Sequence, residues 1–196
     1  MHHIAIFASG AGSNAQKIIE YFRGSSRISV ALVVCNKPGA GVLAIAREAG
    51  VETLLVEREP FRATGYLNEL KDRGIDFIVL AGFLWKIPDV LIGAYPHRIV
   101  NIHPALLPAY GGKGMYGQAV HEAVLKAGDR ESGITIHLVD QWYDHGHILF
   151  QETCPVSENE SPDSLADKIH RLEHAHYPRE IEKWILGSVP QKETFD

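Results

Sequence analysis

Ile4-Ala5-Ile6-Phe7-Ala8-Ser9-Gly10-Ala11-Gly12-Ser13-Asn14-Ala15 is the stretch whose reading decides the fold. The apolar run from Ile4 to Ala8 is too short for a typical helix and reads as a buried strand. The glycines after it read as a tight turn. From Ala15 to Phe22 the apolar positions Ile18, Ile19 and Phe22 fall on one side of a helix, and Gly24 supplies its stop. Strand, glycine turn and helix in that order open an α/β domain.

Working outward, the alternation repeats. Ile28–Cys35 reads as a strand, Val42–Ala49 as a helix closed by Gly50, and Val51–Val56 as a strand. Phe61–Arg73 reads as one helix closed by Gly74, and Phe77–Ala81 as a fully apolar strand. Apolar strands alternating with helices predict a mostly parallel, Rossmann-like sheet with helices on both faces. The second half changes character. Arg98–His103 reads as a strand with polar residues at its end, Tyr110–Gly117 as a glycine-rich loop and Gln118–Ala127 as a helix. Ile134–Val139 and His147–Val156 read as strands around a turn at Tyr143-Asp144-His145-Gly146. Ser161 opens a long helix with Pro162 in its first turn; it reaches about Leu186, with a kink expected at Pro178. Repeats and linkers are absent, so 196 residues read as one domain, 1–196.

The bulk properties exclude several functions. The net charge is -5 and no Lys/Arg run interleaves with aromatic residues, which argues against a nucleic-acid surface. No apolar run approaches the roughly 18 residues a membrane helix needs, and His2-His3-Ile4 is not the start of a signal peptide. The cytoplasm is the expected location. Cys35 and Cys154 lack a CxxC setting and read as reduced thiols.

A glycine turn between the first strand and the first helix is an anion site, because free backbone N–H groups and the helix dipole both favour negative charge there. Ser13 and Asn14 add side-chain donors. Gly10-x-Gly12-x-x-Ala15 also fits a dinucleotide fingerprint, but that site wants an acid at the end of the second strand, where Val34-Cys35-Asn36 stands. A phosphate monoester is the favoured ligand; a dinucleotide and a purely structural turn stay open.

Asn101 and His103 share one side of a strand end, and Pro104 stops the strand just beyond them. Each alone is an ordinary capping or loop residue, as Asp144 alone is an ordinary turn former. Together they suit acyl transfer to an amine, which needs an oxyanion stabiliser and a proton carrier near neutral pH. A carboxylate beside His103 is expected to raise its pKa and keep it charged.

His170-Arg171-Leu172-Glu173-His174 matches the inverted zincin pattern H-x-x-E-H on a helix. A catalytic zinc needs a third protein ligand. The acids downstream are Glu180, Glu182, Glu193 and Asp196, the first two on the same helix. A zinc metallohydrolase is therefore a remote alternative, and no metal is expected.

Gly12-Ser13-Asn14, Leu80-Ala81-Gly82-Phe83, Asn101-Ile102-His103-Pro104-Ala105-Leu106-Leu107-Pro108 and Asp144-x-Gly146 together resemble the phosphoribosylglycinamide formyltransferase family of folate-dependent formyltransferases. The resemblance runs along essentially the whole chain. It implies the formyltransferase fold and transfer of a formyl group from 10-formyltetrahydrofolate, a co-substrate, to the amine of glycinamide ribonucleotide in purine synthesis. Both partners would be small molecules. Asn101, His103 and Asp144 would be catalytic. Gly12, Ser13 and Asn14 would hold the ribonucleotide phosphate, and His170, Arg171, Leu172 and Glu173 would contact the same ligand. Arg62, Leu84, Trp85, Lys86, Ile87 and Asn101 would meet the folate, with Asp140, Gln141, Trp142, Tyr143 and Asp144. Two stretches depart from the family: the loop Tyr110–Tyr116 lacks a His-containing segment, and Trp85-Lys86 replaces the usual pair. Methionyl-tRNA formyltransferase and formyltetrahydrofolate hydrolase share the core but add domains for which this chain is expected to have no room. A non-catalytic nucleotide or folate sensor is the rival from another class.

Overall fold

The structure, a computed structural model, describes residues 1–187. Its seven strands form one sheet in the order β3-β2-β1-β4-β5-β6-β7. They are β1 (His2–Ala8), β2 (Ile28–Cys35), β3 (Glu52–Leu55), β4 (Phe77–Leu80), β5 (Ile99–His103), β6 (Glu131–Leu138) and β7 (Ile148–Pro155). The first five pair in parallel, and β6 and β7 extend the edge in antiparallel fashion. The mostly parallel α/β sheet expected from the sequence is what the chain forms.

The apolar strands are buried on both faces, which is why they lack polar alternation. Ile4, Ile6 and Ala8 of β1 face one core with Val33, Phe77 and Val79, while Ala5 and Phe7 face a second with Leu32, Ile78 and Leu80. The first core is covered by α1 (Ser13–Phe22), α2 (Gly41–Glu48), α6 (Gln118–Ala127) and α7 (Pro162–Gly187). The second lies under α3 (Arg58–Thr64), α4 (Leu67–Asp72) and α5 (Asp89–Ala94), through Phe61, Leu70 and Leu91. α7 continues through Pro178 and is tied to the sheet by Tyr177, whose buried hydroxyl donates to the Leu80 carbonyl at 2.8 Å.

One helical expectation needs correction. The single helix Phe61–Arg73 is two helices, broken at Gly65 and Tyr66, which both adopt left-handed backbone angles (φ 60° and 53°). A Cβ on Gly65 would stand 3.1 Å from Leu91 and 3.3 Å from Pro88, so the break lets the chain pack closely on α5. The short helix α5 itself carries no signal strong enough to be read from the sequence.

This topology places a site. The chain leaves β1 for β2 and β3, then returns to β4 on the other side of β1. The strand order therefore reverses between β1 and β4, and ligands of open α/β sheets bind beyond the carboxyl ends of strands at such a point. There the loops after β1 and β4 are knitted together. The Ser9 N–H donates to the Gly82 carbonyl at 3.1 Å, and the Leu84 N–H to the Ser9 hydroxyl at 2.9 Å.

Candidate active site

A cavity of about 760 Å³ opens at this switch point, walled by the ends of β1, β4, β5 and β6, the loops 112–117 and 140–144, and one turn of α7. At one end lies the glycine turn. Gly12 has φ 88°, and a Cβ on it would lie 2.7 Å from the Cβ of Val42. Only glycine lets the turn pass so close to α2. The turn brings the free N–H groups of the first α1 residues to the cavity, with Ser13 exposed beside them. Asn14 points at α7, where its Nδ2 donates to Glu173 Oε2 at 2.8 Å. Glu173 is buried, and burial raises its pKa against the pull of Asn14 and His170. The Asn14 Oδ1 is buried with no protein partner. His170 and Glu173, three residues apart, share the cavity side of α7. Arg171 and Leu172 stand outside the cavity wall: the helix turns Arg171 to solvent and packs Leu172 against the first core.

Asn101, His103 and Asp144 all line the cavity. β5 delivers Asn101 and His103 on one side, as alternation requires. The segment beyond them is fixed by Thr135, whose buried hydroxyl donates to the Ala105 carbonyl at 2.7 Å and accepts the Leu107 N–H at 2.9 Å. His103 is 3% exposed. Its Nε2 lies 2.8 Å from the Tyr110 carbonyl, an acceptor only, so Nε2 carries a proton and Nδ1 is the nitrogen left for chemistry. Nδ1 is 3.7 Å from Asp144 Oδ2.

Asp144 sits in a left-handed turn (φ 52°), a conformation aspartate and asparagine tolerate better than most residues. Its Oδ2 accepts the Gly112 N–H at 2.9 Å, and its Oδ1 is 3.6 Å from His137 Nε2. Burial pushes the Asp144 carboxyl up, yet His137, His103 and the Gly112 N–H together hold it below its usual range. The expectation that Asp144 lifts the His103 pKa above its ordinary value is overturned. Burial is the larger effect and lowers it; Asp144 and the Tyr110 carbonyl pull back, and nearby His137 adds to the lowering.

His137 was not singled out by the sequence. It is 2% exposed and stands opposite Asn101 in the β5–β6 ladder. Its Nε2 is 3.1 Å from Asn101 Nδ2. The only available hint was one histidine inside an otherwise apolar strand pattern, and the cross-strand register that makes it meaningful is not written in either strand alone. His121 of α6 carries no such signal in the sequence: it lines the cavity, is 3% exposed, and its Nδ1 has no partner among the described residues.

A further part of the lining is mostly apolar. Leu84, Trp85, Lys86 and Ile87 belong to it, as do Asp140, Trp142 and Tyr143. Leu84 and Trp142 are more than half exposed. Two expected residues are not brought there. Gln141 turns to solvent from its loop, and Arg62 lies on α3 outside the cavity wall, 3.6 Å from Glu59. The loop Tyr110–Tyr116, set aside for want of a family counterpart, contributes Gly112 to Tyr116 to the cavity wall.

The zinc pattern does not assemble. His170 and His174 stack with ring centroids 6.3 Å apart, and Glu173 spends an oxygen on Asn14. Among the described residues no three His, Cys, Asp or Glu side chains converge to hold a metal ion. Glu193 and Asp196 lie outside the described residues.

The mostly parallel sheet thus carries at its switch point one cavity lined by a glycine turn and an Asn–His–Asp cluster. Residues 2–181 match the formyl transferase family. A chloroplastic phosphoribosylglycinamide formyltransferase of Arabidopsis thaliana is 45% identical over 95% of this chain and 69% of its own length. The phosphoribosylglycinamide formyltransferase of Bacillus subtilis is 35% identical over 95% of this chain and 96% of its own. The crystal structure of phosphoribosylglycinamide formyltransferase from Anaplasma phagocytophilum superposes with a TM-score of 0.87 at 31% identity, covering 98% of this chain and 91% of that one. The chain belongs to the formyl transferase family and, within it, to the phosphoribosylglycinamide formyltransferases.

Proposed function

We propose that the protein, acting as one domain over residues 1–196, transfers the formyl group of 10-formyltetrahydrofolate to the amine of glycinamide ribonucleotide. The observation that carries this reading is the single continuous cavity. Its lining brings together the glycine turn Gly12–Asn14, the polar cluster Asn101, His103 and Asp144, and the apolar side chains of Leu84, Trp85, Ile87 and Trp142. The ribonucleotide phosphate takes the N–H groups at the start of α1, and Glu173, held by Asn14, faces the same ligand. The folate ring occupies the wall formed by Leu84–Ile87 and residues 140–144.

In the reaction the amine nitrogen attacks the formyl carbon. The carbonyl electrons move to oxygen, and the oxyanion takes hydrogen bonds from Asn101 Nδ2 and from protonated His103 Nδ1. Nδ1 serves because Nε2 is held by the Tyr110 carbonyl. Burial disfavours the charged ring, and the developing oxyanion and Asp144 supply the negative charge that offsets it. Collapse breaks the bond to folate N10. The proton lost by the amine reaches N10 through Asp144 and His103, so the products are the formamide and tetrahydrofolate.

Among the described residues no helix is long and apolar enough to cross a membrane. The cytoplasm is the compartment this reading gives the chain, although the Arabidopsis relative is named chloroplastic. The test is turnover of the purified protein with both substrates. Formylated ribonucleotide and tetrahydrofolate should appear in equal amounts. Formate release at the same rate without ribonucleotide would replace transfer by hydrolysis.

A further inference from the structure

The geometry points to a further positioning residue for the transfer, His137, which orients the Asn101 amide. The inference rests on the formyl-transfer reading for its kinetic consequence, but its structural content stands apart from it.

His137 Nδ1 lies 2.9 Å from the Leu138 carbonyl, which can only accept, so Nδ1 carries a proton. In the neutral ring Nε2 therefore has a lone pair, 3.1 Å from Asn101 Nδ2. Asn101 must then donate one N–H to His137. Its second N–H and its Oδ1 are placed by that bond, because the planar amide cannot turn without losing it. An amide that is free to flip presents oxygen to a developing oxyanion half the time; an amide held on His137 always has a donor available. Such outer partners commonly fix the groups that do the chemistry.

Asp144 lies between the two rings, 3.7 Å from His103 Nδ1 and 3.6 Å from His137 Nε2. The titratable groups acting on His137 are Asp144, His103 and Asp140. One carboxylate offsets one imidazolium, and two charged rings would repel. Protonated His137 would present Nε2–H to the Asn101 N–H group and force the amide to turn.

The test uses the full chain, with His137→Ala and His137→Gln, and two readouts. Glutamine can put Oε1 where Nε2 stood and accept from Asn101. Steady-state kinetics should show kcat reduced about 10- to 100-fold in His137→Ala, with both KM values changed less than about twofold and kcat largely restored in His137→Gln, the scale of a displaced oxyanion donor. The Asn101 side-chain amide signals in a proton–nitrogen correlation spectrum should move in His137→Ala and return in His137→Gln. The inference is overturned if kcat of His137→Ala stays within twofold of the parent. It is also overturned if kcat falls while the Asn101 signals stay in place, since His137 would then be only a packing residue. Should the parent protein fail to formylate the ribonucleotide, the functional reading fails, and the Asn101 signals alone still decide whether His137 holds the amide.

Discussion

Asp144→Asn is the substitution that separates charge from shape at this site. Asparagine keeps the outline of the side chain and accepts the left-handed turn at φ 52°. Its Oδ1 can still take the Gly112 N–H, so the link between the two loops survives. What disappears is one negative charge 3.7 Å from His103 Nδ1. At that separation a unit charge pair is worth about 1 kcal/mol at the dielectric of water and about 4.5 kcal/mol at an effective value of 20. His103 should therefore titrate lower still in the variant, because the charge that pulls its pKa back against burial is gone. Because burial already holds His103 below its ordinary value, the loss leaves the ring almost wholly neutral at neutral pH.

The catalytic consequence follows. A neutral ring with Nε2–H on the Tyr110 carbonyl has no proton on Nδ1 and cannot donate to the oxyanion. kcat should fall about a hundredfold or more, on the scale of general acid–base effects. The assay pairs a carbon-detected NMR titration of His103 in both proteins with kcat measured at each pH. An unchanged His103 pKa, or near-full kcat in Asp144→Asn, would show that Asp144 only shapes the turn, and the proton path through it would have to be abandoned.

Other consequences are open to simpler tests. Ser13→Ala should raise KM for the ribonucleotide about tenfold with kcat unchanged, because a donor to a remote phosphate acts equally in ground and transition states; weakened folate binding instead would refute the assignment of this end of the cavity. Exhaustive chelation should leave turnover intact; stoichiometric zinc lost together with activity would count against the mechanism. Acidification should destabilise the fold early. His103, His121 and His174 are held below their ordinary 6.5, chiefly by burial, so the unfolded chain binds protons first. Their contribution is complete above about pH 6.5 and is lost as pH falls toward the lowered values. Glu173, raised by burial, acts in the opposite sense, its contribution being lost as pH rises through its raised value. With three imidazoles against one carboxyl, the thermal midpoint should drop between pH 7 and pH 5; a flat midpoint there would contradict the burial of these rings. His121→Leu should raise the midpoint at pH 6 by a few degrees, because it replaces a buried nitrogen without a partner by apolar surface, a gain of about 1–2 kcal/mol.

The parts of the fold that could be read from sequence are those whose cause is local. β1, β2 and β4 announce themselves because strands buried on both faces must be apolar throughout, and Gly24, Gly50 and Gly74 mark the ends of segments that no other residue ends so cheaply. The break at Gly65-Tyr66 had no such signature. Its cause is the approach of Leu91 and Pro88 from α5, and a contact between segments so far apart in sequence leaves no trace in the residues between Phe61 and Arg73. The site divides along the same line. Asn101, His103 and Asp144 were readable because their residue types suit one chemistry and two of them share a strand end. His137 was not, because it becomes a partner of Asn101 only through the register of β5 against β6, strands separated by a loop and the whole of α6. Nor was the sign of the His103 shift. A sequence shows that a carboxylate is near enough to raise a histidine pKa, but it does not show how deeply the ring is sunk. At 3% exposure, desolvation outweighs a carboxylate 3.7 Å away. The charged ring that the transfer requires is then not a resting property of the site: the negative charge that develops on the formyl oxygen must itself help to bring it about, which places the stabilisation in the transition state, where it accelerates the reaction.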